Sequence, residues 1–294
     1  MSELFEMHGR PDLADPVLVL ALDGWIDAGF GAAVARRALL DAAGPTTLIA
    51  TFDRDRLLDF RARRPTMHIE VGEVTSMSWP SIELRAAVDP PQPSMLYLVG
   101  AEPDHAWGAF CDAVVDLAGQ LGVRIVVGLG AYPTPVPHTR PSRLAATLST
   151  PELGDGRPYL LASIDVPAGV QTAVEQACAE AGIPAIGLWA QVPHYVVSME
   201  YPGAAAALVD GLADLTGLRI DATPLLDEAA TLRQRLDELV EANPEHLTMV
   251  RRLEEQYDAE AVAPNEQGLA GGRLPTADEL VAEVERYLRE QGGA

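Results

Sequence analysis

Apolar residues recur in short continuous runs over the first 220 positions, at 17–22, 46–52, 95–99, 124–130 and 185–190. Stretches of helical periodicity lie between or after them, at about 28–43, 104–121, 168–181 and 202–217. A strand that is apolar at nearly every position, not at alternate ones, is covered on both faces. Such strands alternating with helices predict an α/β fold around a mainly parallel sheet. Gly122, Gly182 and Gly217 fall where helix C-caps are expected.

Two regions break this rhythm. Residues 60–90 hold two or three short β-like runs with turn residues between them, which predicts a β-hairpin inserted at about 66–88. From Asp221 onward no strand-like run appears, and helical stripes occupy 225–241, 244–260 and 276–290. Asn243-Pro244 supplies an N-cap followed by proline at the first helical position. Thr276 and Glu279 form a capping box, and 261–275 reads as a linker. Each of these helices has one apolar stripe and cannot form a core alone, so the extension at 221–294 should pack back over the core at 1–220.

Composition narrows the function classes. The net charge is −22, and such a surface repels nucleic acid and anionic lipid. All 21 basic residues are arginine, so lysine Schiff-base and lysine phosphate-clamp chemistry is excluded. No apolar run is long enough to span a bilayer, and the acidic opening MSELFEMHGRPD does not read as a secretory signal, so a cytoplasmic location is expected. Cys111 and Cys178 read as buried free thiols. No metal-type spacing is present, and no metal or cofactor is expected.

The stretch LDGWIDAGFGAA at 22–33 joins the first long strand to the first helix. Its glycines, Gly24, Gly29 and Gly31, do not have dinucleotide-fingerprint spacing, and Asp23 and Asp27 would repel phosphate. Asp27 reads either as the cap of the following helix or as a hydrogen-bond acceptor for a polar ligand. Two later strands end alike, in GLGAYPTPVPHTRP at 128–141 and GLWAQVPHYV at 187–196. Each carries Val-Pro-His beyond the strand's C-terminal end, where open α/β sheets bind ligands. That places His138, Arg140, Gln191, His194 and Tyr195 in one candidate crevice with Asp23, Gly24, Trp25 and Asp27. Arg61 and Arg64 belong to a locally basic stretch, which is either a solvated charge cluster or a carboxylate site.

DGWIDAG at 23–29, FDRDRLLDFRARRP at 52–65, GAEPDHAW at 100–107, PHTRP at 137–141 and GLWAQVPHYV at 187–196 resemble the bacterial, actinobacterial-type branch of the proteasome assembly chaperone 2 family. The resemblance implies a three-layer α/β/α sandwich similar to nucleoside phosphorylases. It also implies a homotrimer with the hairpin as a contact, and C-terminal helices lying as a lid over the crevice. The chain ends Gly292-Gly293-Ala294, so docking through a C-terminal hydrophobic-Tyr-any tripeptide is not expected.

Two functions stay open at this stage. One is a noncatalytic member of that family acting through protein contacts. The other is a lidded small-molecule binder or a phosphorylase- or hydrolase-like enzyme using the crevice.

Overall fold

The computed structural model describes residues 4–24, 26–87 and 94–262, with side-chain detail to residue 260. Trp25, most of the 261–275 linker and the helix expected at 276–290 lie outside the described residues.

The strands are β1 (Phe5–Met7), β2 (Val17–Asp23), β3 (Thr46–Phe52), β4 (Thr66–Glu70), β5 (Glu73–Ser78), β6 (Ile82–Ala87), β7 (Met95–Ala101), β8 (Ile125–Thr134), β9 (Leu144–Leu148) and β10 (Ala185–Pro193). The helices are α1 (Gly31–Ala43), α2 (Arg54–Leu57), α3 (Trp107–Leu121), α4 (Val170–Glu180), α5 (Pro202–Thr216), α6 (Thr223–Glu241) and α7 (Pro244–Val262). Every long apolar run of the core became a strand, and the helical stretches between or after them became helices.

The main sheet has the order β1-β3-β6-β7-β2-β8-β10-β9. Its centre, β7-β2-β8-β10, is parallel. The other four of its seven pairings are antiparallel. The expected mainly parallel sheet is therefore wrong. The sheet is mixed and mostly antiparallel, and this topology gives no support to a phosphorylase-like fold. The cause is local. β3 runs in the same direction as the central strands, but β6 is inserted between β3 and β7 and opposes both. β9 folds back along β10 at the far edge. Apolar runs reveal burial on both faces, but not the direction of a neighbouring strand.

Alternation within β2 shows the three layers. Val17, Val19 and Ala21 pack with Val34 and Leu39 of α1 and Leu208 and Leu212 of α5. Leu18 and Leu20 join the opposite cluster, with Phe110 and Val114 of α3 and Val174 of α4. Both cysteines are free and buried in that second layer. Helix α6 adds Leu225 and Leu236 to the first layer.

The hairpin β4–β5 is a separate two-stranded sheet, exposed along its whole length. β6, which the sequence reading grouped with the hairpin, is part of the main sheet. At the hairpin's foot Trp79 meets Phe60 edge-on at 5.0 Å, under the Arg54 guanidinium.

Candidate functional site

The loop after β2 folds around its own helix. Both carboxylate oxygens of Asp27 accept from α1: Oδ1 from the Ala32 N–H at 2.8 Å, and Oδ2 from the Ala33 N–H at 2.9 Å. These are donors that a helix N-terminus leaves free, and the carboxylate sits at the positive end of the helix dipole. Burial raises the Asp27 pKa above the usual carboxylate value, and the two N–H donors oppose that shift. Asp23 is more exposed and pairs with Arg36 at 2.7 Å, while Arg36 also donates to the Ala21 carbonyl. Gly24 is exposed.

The two other glycines of the loop are required by packing. Gly29 has φ of 58°, and a Cβ there would lie 2.8 Å from Tyr201 Cβ and 3.1 Å from Val192. A Cβ on Gly31 would lie 2.8 Å from Ala131 Cβ. The Gly29 N–H donates to Val197 O, and the Tyr201 N–H donates to Gly29 O. The first loop and the ends of β8 and β10 therefore do converge. They are joined by close backbone contact.

Beyond β8, the segment 134–143 carries a polar clamp. The Tyr195 hydroxyl accepts from the His138 backbone N–H at 2.8 Å and lies 2.7 Å from His138 Nδ1. Its own proton then points to Nδ1, which leaves Nε2 as the protonated ring nitrogen facing Asp237 Oδ1 at 3.2 Å. This tautomer is inferred from the network. Burial holds His138 below the ordinary imidazole pKa, and Asp237 opposes that effect. Thr139 donates to Glu254. Arg140 forms a two-point pair with Asp258, at 2.8 and 2.7 Å, and reaches Glu254 at 3.1 Å. Arg143 stacks 3.6 Å from the Tyr257 ring centre and donates to the Tyr257 carbonyl. The Tyr257 hydroxyl returns a bond to Pro141 O.

The structure thus binds most of the predicted crevice residues to protein groups. His138, Arg140 and Tyr195 hold or brace α6 and α7. Gln191 is buried beside Tyr132, and its N–H donates to Arg143 O. His194 is exposed, with its ring edge-on to Tyr195 at 5.3 Å. Arg61 and Arg64 are exposed in the turn before the hairpin, and no described contact joins them to the clamp. An open groove of about 510 Å³ runs between Met199–Pro202 and α6, but none of the candidate residues lines it.

Sequence reasoning missed Asp237, Arg143, Glu254, Tyr257 and Asp258. A signal existed for one pair: Glu254 and Asp258 are spaced i, i+4, which puts both carboxylates on one face of a helix. Glu175 was missed too. It lies buried on α4 above Gly128 and Gly187, glycines paired across β8 and β10, and it accepts from Thr147 at 3.2 Å. A Cβ on Gly128 would lie 2.0 Å from its Oε1, so the glycines make its recess.

The sequence model of the PAC2 family matches residues 21–240. The chain belongs to the PAC2 family. Solved structures agree with this assignment. A Corynebacterium glutamicum ATCC 13032 protein of unknown function is 35% identical, with a TM-score of 0.80 over 88% of this chain and 98% of that one. A Mycobacterium tuberculosis protein of unknown function is 36% identical, with a TM-score of 0.80 over 90% and 93%. A Mycobacterium tuberculosis proteasome-assembly chaperone homologue is 28% identical, with a TM-score of 0.73 over 80% and 99%. No curated protein matches this chain. Within this PAC2-family chain, the clamp ties the matched region to α7, which lies beyond it. No helix among the described residues is long and apolar enough to cross a membrane.

Proposed function

We propose that this PAC2-family chain acts through protein contacts, as a homotrimer that presents a surface to a further protein. The observation that carries the reading is the hairpin. Met67, Ile69, Val74 and Met77 are each 46–58% exposed, with Val71 fully exposed at the tip and Trp79 exposed at the foot. Apolar residues clustered in this way on a projecting element mark an interaction site. Two of the crevice residues support the same reading, since His138 and Arg140 are engaged with carboxylates of α6 and α7. The family likeness adds a partner class: one solved relative is described as a proteasome-assembly chaperone homologue.

The test is light scattering on the full chain during size exclusion. The expected mass is three times the 31.3 kDa of one chain. Replacing Val74 with Asp should return it to a single chain mass without lowering its melting temperature, because the side chain is exposed in the protomer. A wild-type monomer at every concentration would overturn the trimer. An unchanged mass for the variant would remove the hairpin from the contact.

A further inference from the structure

Glu175 is fully buried, yet one of its carboxyl oxygens has no hydrogen-bond partner. Oε2 accepts from the Thr147 hydroxyl of β9 at 3.2 Å, and that hydroxyl accepts from the Trp189 Nε1–H of β10 at 3.1 Å. Oε1 faces the side-chain amide of Gln171, one turn back on α4. A Cβ on Gly128 would lie 2.0 Å from Oε1 and 2.3 Å from Gln171 Nε2, so the two atoms share one recess. They share it without hydrogen-bond geometry, and Nε2 has no other partner. Leaving both groups buried in this state is costly. One arrangement satisfies both. Glu175 keeps its proton on Oε1, and the Gln171 amide, whose two ends are nearly alike in shape, turns its oxygen to accept it.

Among the described residues no charged side chain stands against Glu175. β8 brings Gly128, β10 brings Gly187 and Trp189, and β9 brings Thr147. Its own helix adds Cys178 and α3 adds Cys111, and burial raises these thiols to about 12 and about 11, so both stay neutral. Glu102, the other buried acid among the described residues, is taken by the Val170 N–H at 2.7 Å. An anion at Glu175 has no cation to pair with, and burial disfavours it.

We infer that Glu175 is a proton-operated lock: neutral, it donates from Oε1 to the Gln171 side-chain oxygen while Oε2 accepts from Thr147, and so fastens the first turns of α4 to β9 and β10. Ionised, it becomes an acceptor only. The Gln171 contact must then reverse or withdraw, and the charge draws water toward the start of α4. That end of the helix is the one least able to resist. Gly169 gives it no side-chain cap, so the Glu102 bond to Val170 is its remaining polar anchor. The lock does not depend on how copies of the chain associate.

Hydrogen exchange on the full chain tests this, run at about pH 6 and about pH 9.5 and corrected for the intrinsic rate at each. Amides of the first turns of α4 and of β9 should lose protection several-fold at the higher pH, while those of β2 and β7 hold. Glu175→Gln is the mimic of the neutral acid, since its amide can accept from Thr147 and donate to Gln171, and it should keep α4 protected at both values. Relative protection that does not change with pH in the wild type would overturn the lock, and so would an equal loss in Glu175→Gln. Infrared difference spectra give a second reading. The wild type at about pH 6 should show a carboxylic-acid C=O stretch that disappears as pH rises and is missing from Glu175→Gln. Its absence from the wild type would overturn the protonated assignment. Thr147→Val removes a hydrogen bond that favours the ionised form, so it should move the midpoint of that band to higher pH. An unmoved midpoint would remove Thr147 from the lock.

Discussion

His138 and Asp237, 99 positions apart, meet at 3.2 Å and tie the segment after β8 to α6. Burial holds the His138 pKa below its ordinary value. Above about pH 6.5 the ring is neutral both docked and released, so it contributes no pH dependence there. As pH falls below that value, the released ring takes up a proton first, and release is favoured until the docked ring also titrates. Asp237 opposes the depression, so Asp237→Asn should push the His138 titration lower still. An NMR titration of the imidazole measures it. An unchanged midpoint would mean that the two groups are not coupled.

The Arg140 clamp should respond to salt. Its partners Glu254 and Asp258 are partly exposed, and such pairs are screened and individually weak. Arg140→Ala should raise hydrogen exchange in α7 a few-fold while leaving the central strands protected. High salt should produce part of the same effect in the wild type. Uniform loss of protection across the sheet would show instead that α7 and the core unfold together.

Glu175 should make stability fall with rising pH. Burial raises its pKa to about 8, against the 4.5 of a free glutamate. Between those values the folded chain holds a proton that the unfolded chain has released. Stability is therefore lost progressively as pH rises from about 4.5 through about 8, and the loss levels off above that. The total is on the order of a few kcal/mol. Denaturant melts across this window should show the slope, and Glu175→Gln should flatten it. A slope unchanged by the substitution would place its origin elsewhere.

Gly31 and Gly108 should respond oppositely to alanine. Both lie in helices, where alanine is ordinarily favoured by about 0.5–1 kcal/mol. At Gly108 a Cβ meets nothing within 4 Å, so Gly108→Ala should raise the melting temperature. At Gly31 the new Cβ lies 2.8 Å from Ala131 and 3.2 Å from Ala204, and neither short side chain can move aside. Overpacking of this kind costs roughly 1–3 kcal/mol, so Gly31→Ala should melt lower. A stabilised Gly31→Ala would mean that α1 can shift away from β8.

The elements were legible because burial on both faces leaves a mark in the sequence. The runs beginning at Val17, Thr46, Met95 and Ala185 each became strands close to those bounds. Strand direction left no such mark, since β6 and β9 are short and only their partners reveal that they oppose β7 and β10. The approach of the first loop to β8 and the end of β10 was legible from strand-end position. What His138 and Arg140 touch was not, because their partners Asp237, Glu254 and Asp258 sit about a hundred positions away on helices that carry several other carboxylates. Asp27 was readable as a cap from its place before α1, and its two N–H bonds match that reading.

The central claim, that this PAC2-family chain works through contacts made by its exposed hairpin, is tested most directly by the light-scattering mass of the Val74→Asp chain beside the wild type. The expected result is a wild-type trimer and a folded, monomeric variant. A folded Val74→Asp chain that keeps the wild-type mass would contradict it.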